Sequence, residues 1–563
     1  MKKLIALLLC LASVVSVLAG CGGGGGLIAN DGKEETIGTV DKSQELPDDL
    51  TLTIGLPVNA NVEDYDTNAY TLWLEEVTGY DLKFVTFQPN AADYKAQLSA
   101  MMATNDPLPD ILYNFSLGSK AYTEYGESGY FIDLAPYYND KELSANFWER
   151  MEVLKELDPE QYDYVLRDLN YGGNMYAFAQ IEYSLIDTMK YQTYINQDWL
   201  DILGMKMPTN TQELYNTLVA FRDYDFNGNG RQDEKPLIGY SSNILHWIVN
   251  MFCYVDNDTF FNVDENGQLY LPHLTNEYRE ALIFINKLID EKLMYDSSVS
   301  FGSKEVKSLM TIPANEVNTV GIVVGHPTLI FQPGNAGIYS YEALPYWGNC
   351  VRSPQLYSPA VYVTSNCEYP LAAWNLLMAM CTQEGGFRQR YGEYGEDYTD
   401  ADPGTKSFIG LDAEIKVLNE DAFAGKNNSN WHKIMGTILI QAENETVQMA
   451  TDEWTSHKMT IMGNCYFNYV DGEENNNPDA KYVMPKLVVP PEVSEADSNE
   501  KSNSAAVIDE AFKSFCLGTG DYNDPSNDAQ WAKYIAEVEA QGYKTWMANR
   551  QVIFEAQFPN YGK

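Results

Sequence analysis

Ten residues, DFNGNGRQDE at 225–234, set oxygen-bearing side chains at Asp225, Asn227, Asn229, Asp233 and Glu234 around two glycines. A calcium loop takes side-chain oxygens at positions 1, 3, 5 and 9, a backbone carbonyl at 7, and glycine at 6 for its sharp turn. Counted from Asp225, those places fall to Asn227, Asn229, Asp233, the carbonyl of Arg231, and Gly230. Glu234 stands at position 10 where an EF-hand has its bidentate Glu at 12, so this is a shortened loop. The plain alternative is a polar Asn-Gly turn that binds nothing. A single loop of this kind is expected to be a structural brace.

Catalytic chemistry finds less support. The five histidines, His246, His273, His326, His432 and His457, fall in no HExxH, and the chain has no GxSxG elbow and no cysteine placed with a histidine in a recognisable pattern. The 80 acidic residues could still hide a glycosidase pair, whose two carboxyls need only be close in space. A secreted, lipid-anchored carbohydrate-active enzyme is therefore the first alternative reading, and a surface adhesin the second.

The elements that position such groups must come from more than one core, since 563 residues exceed what a single core supports. A composition 45% hydrophobic and 13% aromatic is that of a globular chain. The formal charge of −43 repels phosphate backbones and anionic lipid surfaces, which excludes nucleic acid as a partner. Forty tyrosines and ten tryptophans supply rings that suit cores and sugar faces alike.

The start of the chain fixes a compartment. MKKLIALLLCLASVVSVLAGC has a Lys2-Lys3 head, an apolar run too short for a membrane span of about 20 residues, and small residues leading into Cys21. It resembles a bacterial lipoprotein signal peptide over 1–20, with Cys21 as the acylated first residue of the mature protein. Two acyl chains suffice for stable anchoring, so the membrane is expected to be met through the lipid alone, on the outer side of the cytoplasmic membrane. Residues 21–49, beginning with a glycine run, read as a flexible linker with a span of about 30 Å. The cysteines beyond Cys21 show no CxxC spacing, and sequence assigns no disulfide.

Past the linker, LTLTIGLPV (50–58) reads as a strand and NAYTLWLEEVTG as a helix, with Asp66 to Asn68 as capping candidates and Gly79 as its stop. YDLKFVTF, a helical YKAQLSAMMATN and ILY complete a strand-helix-strand alternation. The alternation returns in MYAFAQ, TMKYQTYIN, the helical TQELYNTLVAFRD, TNEYREALIFINKLIDEKL, and the strand NTVGIVVG. YPLAAWNLLMAMCTQEGG reads as a helix opened by Pro370. From about residue 410 the pattern is mostly helical, and PPEVSEADSNEKSNS (490–504) reads as an exposed connection. Trp73 and Trp374 fall on apolar helix faces and are expected in cores, and Trp199 is expected to be structural.

Several stretches together resemble the extracellular solute-binding proteins of family 1, in the large lipoprotein branch that serves bacterial sugar-uptake ABC transporters. They include DYDTNAYTLWLEEVTGYDL, QLSAMMATNDPLPDILY, YGGNMYAF, NEYREALIFINKLIDEKLM, NCEYPLAAWNLLMAMCTQEGGFRQRYGEYGEDY and WAKYIAEVEAQGYKTWM. The most specific runs from DWLDILGMKMPTNTQEL to DFNGNGRQDE. The resemblance implies a type II, two-lobed α/β fold with hinge crossovers, ligand between the lobes, and a structural calcium site with Asp225, Asn227, Asn229, Arg231, Asp233 and Glu234 as ligands. Lobe 1 is expected to begin with 50–180, lobe 2 to take 181–347, and 348–563 to be shared. The crossovers are expected near Gln180–Glu182 and Pro345–Cys350.

A sugar offers hydroxyls at its rim and a C–H face, so its site combines polar groups with aromatic platforms. Tyr113 and Asn114, after the ILY strand, lie where ligands sit in α/β sheets. His246, Trp247, His326, Trp347 and Trp431 complete the ligand candidates. The partners implied are a carbohydrate, most simply an oligosaccharide, and an ABC permease, with the protein itself a monomer and not an enzyme.

Overall fold

The computed structural model describes residues 39–182, 191–256, 259–313, 316–345, 347, 356–419, 422, 425–431, 438–439, 446–470 and 484–561. Ten strands in chain order build its two main sheets: β1 (Thr51–Pro57), β2 (Asp81–Phe87), β3 (Ile111–Tyr113), β4 (Phe178–Glu182), β5 (Thr193–Asn196), β6 (Lys235–Gly239), β7 (Val320–Val324), β8 (Tyr341–Ala343), β9 (Leu356–Val363) and β10 (Ile438–Leu439). One sheet has the order β10-β4-β9-β3-β1-β2 and the other β8-β5-β7-β6. Each forms the centre of its own lobe.

Local sequence explains the elements. The Ala69–Thr78 helix opens with the Asn68 side chain accepting from the N–H of Tyr70 and closes at Gly79 in the left-handed region. Such caps satisfy end groups that have no partner inside a helix. The Asn276–Asp290 helix is capped by Thr275 and buries Tyr278, Ala281, Leu282, Ile285 and Leu288 along one stripe. Strands β3, β5 and β7 are buried along their whole length, as fits strands covered on both faces.

The cores are separate. Lobe 1 packs β1 to β4 and β9 around Trp374, Phe178, Tyr138 and Phe147. Lobe 2 packs Trp199, Phe221, Trp247 and the Asn276–Asp290 helix with the C-terminal helices, from Ile508 to Phe554. A second lobe 2 cluster lies on the β8 side, where Ile461 and Cys465 of the Glu453–Val470 helix meet Tyr194 and Tyr341.

The chain passes between the sheets at corresponding ends. β4 finishes at Glu182 and β5 starts at Thr193; β8 finishes at Ala343 and β9 starts at Leu356. A third passage leads from β10, in the lobe 1 sheet, to the Glu453–Val470 helix on lobe 2.

Two expectations are revised. The acidic stretch 490–504 is no exposed connection but the first half of a 27-residue helix, Pro491–Leu517. Its polar letters mislead because they include Asp497 and Ser504, both buried. The stretch 39–49, expected as free linker, lies on lobe 1: Lys42 Nζ is 2.7 Å from Asp140 Oδ2, Gln44 donates to the carbonyl of Glu368, and Leu46 packs on the core. Cys253, Cys367, Cys381, Cys465 and Cys516 form no disulfide. Cys21 and the signal sequence lie outside the described residues. No helix among the described residues is long and apolar enough to cross a membrane.

Candidate functional site

The loop 225–234 joins the Thr211–Asp223 helix to β6. Asp225 Oδ2 accepts from the N–H of Gly230 at 2.7 Å and Oδ1 from that of Asn229 at 3.1 Å. Asn227 Oδ1 accepts from the N–H of Asn229 at 3.0 Å, and Asn229 Oδ1 from that of Arg231 at 2.7 Å. The chain is thus wound so that the side chains at positions 1, 3 and 5 turn inward on its own amides. Gly228 and Gly230, at φ 68 and 75, supply the left-handed turns that this winding needs.

The other wall of the loop is acidic. Asp233 accepts from the side-chain amides of Asn227 at 2.9 Å and Asn229 at 3.0 Å, and these bonds hold its carboxyl below the usual range. Glu234 Oε1 accepts from the N–H of Phe226, while Oε2 is buried with no hydrogen-bond partner. A buried carboxylate oxygen without a donor is costly unless a cation meets it. Among the described residues no three His, Cys, Asp or Glu side chains gather at metal-binding spacing; this loop interleaves its acids with amide oxygens. The oxygen-only donor set is the kind a hard cation takes.

A second site follows from the strand registers. In lobe 1, β1, β3 and β4 run in one direction, since β1 and β3 are parallel and β9 pairs antiparallel with both β3 and β4. In lobe 2, Gly239 pairs with Val324, Val324 with Thr193, and Ala343 with Tyr194, so these residues share one end of the sheet. The crossings leave from Glu182 and Ala343 and arrive at Thr193 and Leu356, which lie at those same ends. The carboxyl ends of β1, β3, β6 and β7 therefore face one interlobe space, the place where α/β sheets hold ligands.

The candidates divide around this space. Asn114 directly follows β3 and is half-buried, with φ 64. His326 follows Gly325 after β7 and caps the short Pro327–Ile330 helix, with Nδ1 2.7 Å from Thr328 Oγ1. His246 lies on the Asn243–Val249 helix after β6, its ring 5.0 Å from that of Phe512. Trp347 follows β8 in the second crossing and is buried in the lobe 2 core cluster. The other three are core residues as well. Tyr113 is buried, accepts from Gln389 Nε2 at 3.1 Å, and burial raises its phenol. Trp247 lies within the lobe 2 core. Trp431, 0% exposed, donates from Nε1 to Thr71 Oγ1 at 2.9 Å and meets Tyr70, Phe84 and Tyr113 edge to face. It leaves no surface for a ligand in this conformation. The aromatic letters alone did not separate ring platforms from ring cores.

Sequence reading did not anticipate the clip that closes this part of lobe 1. Asn428 Oδ1 accepts from the N–H of Asp64, and its Nδ2 donates to Thr67, while Asn68 Nδ2 donates to the carbonyl of Asn430 at 2.8 Å. Asn430 Nδ2 in turn donates to the carbonyl of Ala422 at 2.7 Å. The run NNSN at 427–430 was the available signal.

Polar and cation–π contacts tie the lobes. Lys120 Nζ, on the helix after β3, is 2.8 Å from Glu495 on the Pro491–Leu517 helix. Arg167 lies over the ring of Phe558 at 4.8 Å, and Lys486 over that of Tyr164 at 4.9 Å. These three are exchangeable contacts, and Met462 of the Glu453–Val470 helix adds an apolar one on lobe 1.

Two α/β lobes on discontinuous chain, crossing at the cleft ends of their sheets, define the type II solute-binding-protein fold. The chain superposes on an HMO-binding, ABC-transporter-associated solute-binding protein from Bifidobacterium longum infantis with a TM-score of 0.69 at 16% identity, over 90% of this chain and 99% of that one. A structure of an EF-hand mutant of the S. pneumoniae ABC-transporter substrate-binding protein FusA, in complex with fructo-nystose, gives 0.65 at 18% identity, over 91% and 100%. By sequence, the fructooligosaccharide ABC transporter substrate-binding protein FusA of Streptococcus pneumoniae serotype 4 is 26% identical over 292 residues, 50% of this chain and 51% of the relative. The chain spans about half the length of the curated relatives it matches. No family model matches it.

Proposed function

We propose that this chain is the substrate-binding protein of an ABC importer, capturing an oligosaccharide between its lobes and delivering it to the permease without altering it. The observation that carries this reading is the shared orientation of the strand ends: both sheets open onto one interlobe space through three passages of chain. Relatives described as binding proteins for oligosaccharides support it. Asn114, His246 and His326 are the ligand contacts proposed from the described residues.

The work such a site performs is affinity coupled to closure. Lobe closure removes the sugar's polar contacts from water, where each counts for more. Ligand shifts the balance toward the closed form only by binding that form more tightly. Interlobe contacts such as Lys120–Glu495 are weak enough to be exchanged, because both groups are exposed and water and salt screen their attraction.

Asp225, Asn227, Asn229, Asp233 and Glu234, with the Arg231 carbonyl, are proposed to hold calcium as a structural brace, away from the cleft strand ends. The loop lies at the amino end of β6, opposite the cleft-facing Gly239. Bound there, calcium would neutralise the acids and fix the turn. Lipidation at Cys21 is proposed to tether the protein, as a monomer, outside the cytoplasmic membrane.

Calorimetric titration of the mature, unlipidated protein against an oligosaccharide panel, with chromatography of the recovered sugar, tests the reading. Saturable binding with sugar recovered intact is expected. Cleavage products would return the enzyme alternative.

A further inference from the structure

Polar residues stand just beyond four of the cleft-facing strand ends. Asn59 follows β1, Asn114 follows β3, Ser241 and Ser242 follow β6, and His326 follows β7. Amides, hydroxyls and an imidazole are groups that exchange hydrogen bonds with sugar hydroxyls.

Two of them, one on each wall, have left-handed backbone: Asn114 at φ 64 and Ser241 at φ 57. Asparagine adopts this region readily, whereas serine has no such preference. Residues held in this way gather at ligand clamps, where the strain aims a group. Ser241 is fixed in place by its N–H, which donates to the carbonyl of Phe301 at 2.9 Å, and its side chain is half-buried rather than packed away.

Charge adds an independent constraint. The molecule carries −43 formal charges, a field that opposes the entry of anions. Lys120, on the helix that follows β3, is already engaged by Glu495 at 2.8 Å and by Glu124 at 3.9 Å. A uronate carboxylate would be taken best by a charge-assisted donor, and among the described residues the polar groups just named at the strand ends include no Lys or Arg.

Resting on the solute-binding reading above, we infer that the ligand is a neutral oligosaccharide, with hydroxyls read by Asn114 on lobe 1 and Ser241 on lobe 2, and that uronate oligomers are rejected. The test pairs neutral and acidic oligosaccharides of matched length, such as inulin-type, xylan and mannan tetrasaccharides against tetragalacturonate and tetramannuronate, titrated into the mature protein at low and moderate salt. A neutral sugar should bind at least about tenfold more tightly than either uronate, and the gap should narrow with salt as repulsion is screened. Ser241→Gly and Asn114→Gly, which both accept the left-handed backbone, should each weaken the neutral ligand by about tenfold, the loss of one hydrogen bond, without lowering the Tm. A uronate that outbinds every neutral sugar, or both glycine variants binding as wild type, would overturn the inference while leaving a sugar-binding protein. Absence of binding to every sugar would instead overturn the parent reading, and this inference with it.

Discussion

Trp199 and Phe226 lie face to face, with ring centroids 3.9 Å apart and planes 3° from parallel, so the loop at 225–234 is fastened to the lobe 2 core by a residue inside it. Phe221 closes on both rings edge-on. Order in the loop should therefore be felt in the lobe. Calcium binding is expected to raise the Tm of the wild type and chelation to lower it, with a stabilisation of about 2.7 kcal/mol when free calcium is 100-fold above its Kd. Joint replacement of Asp225 and Asp233 by alanine should abolish the chelator effect in a thermal melt. Phe226→Ala should reduce it, since an aromatic pair contributes about 0.5–1.5 kcal/mol beyond its buried area. A wild type indifferent to chelator would remove the metal from the account.

Acid should unfold lobe 2 partly through His273. Burial lowers its pKa to about 3, with the nearby His246 adding to the shift, and its ring is held between Phe260 and Tyr278. The unfolded chain takes up a proton as the pH falls through about 6.5 while the folded chain resists, so the unfolded state binds more protons and stability drops. The loss runs at about 1.4 kcal/mol per pH unit between about 6.5 and the folded value. His273→Phe should flatten this part of a Tm-against-pH profile; an unchanged slope would remove His273 as its source.

The C-terminal helices meet over a buried ion pair. Arg550 Nε and Nη2 donate to the two oxygens of Asp497 at 2.5 and 2.6 Å, and Trp546 Nε1 donates to Oδ1 at 2.9 Å. Asp497→Ala would leave the guanidinium buried without its counter-charge, a loss of about 3–5 kcal/mol. Denaturant melts should show it as a lower midpoint; a cost under about 1 kcal/mol, typical of an exposed pair, would contradict the burial.

Gly463 is where a lobe 2 helix touches lobe 1. A Cβ there would stand 2.5 Å from the carbonyl oxygen of Phe408, while Ile461 and Cys465 of the same helix pack on lobe 2 and Met462 on lobe 1. Gly463→Val should force the lobes apart at this point. Weaker sugar binding with a larger radius of gyration is expected, and unchanged scattering would contradict a fulcrum here.

Legibility in the sequence followed locality. The loop at 225–234 could be read because its function lies within ten consecutive residues, and its amide contacts fall at the positions its spacing predicts. Helix starts at Asn68 and Pro370 were equally local. The rings were not: Trp247, Trp347 and Trp431 all lie in core clusters, and tertiary packing alone decides that. The Pro491–Leu517 helix was hidden for a related reason. Its first half is written in linker letters, yet Asp497 is matched by Arg550, 53 residues away. Ser241 escaped notice because a serine gives no sign in sequence of a left-handed backbone.

Small-angle scattering of the mature protein, with and without a saturating oligosaccharide, addresses the two-lobed clamp most directly. A smaller radius of gyration is expected with sugar bound, reversed when the sugar is removed intact. Saturable binding with no change in shape, or recovery of a shortened sugar, would contradict it.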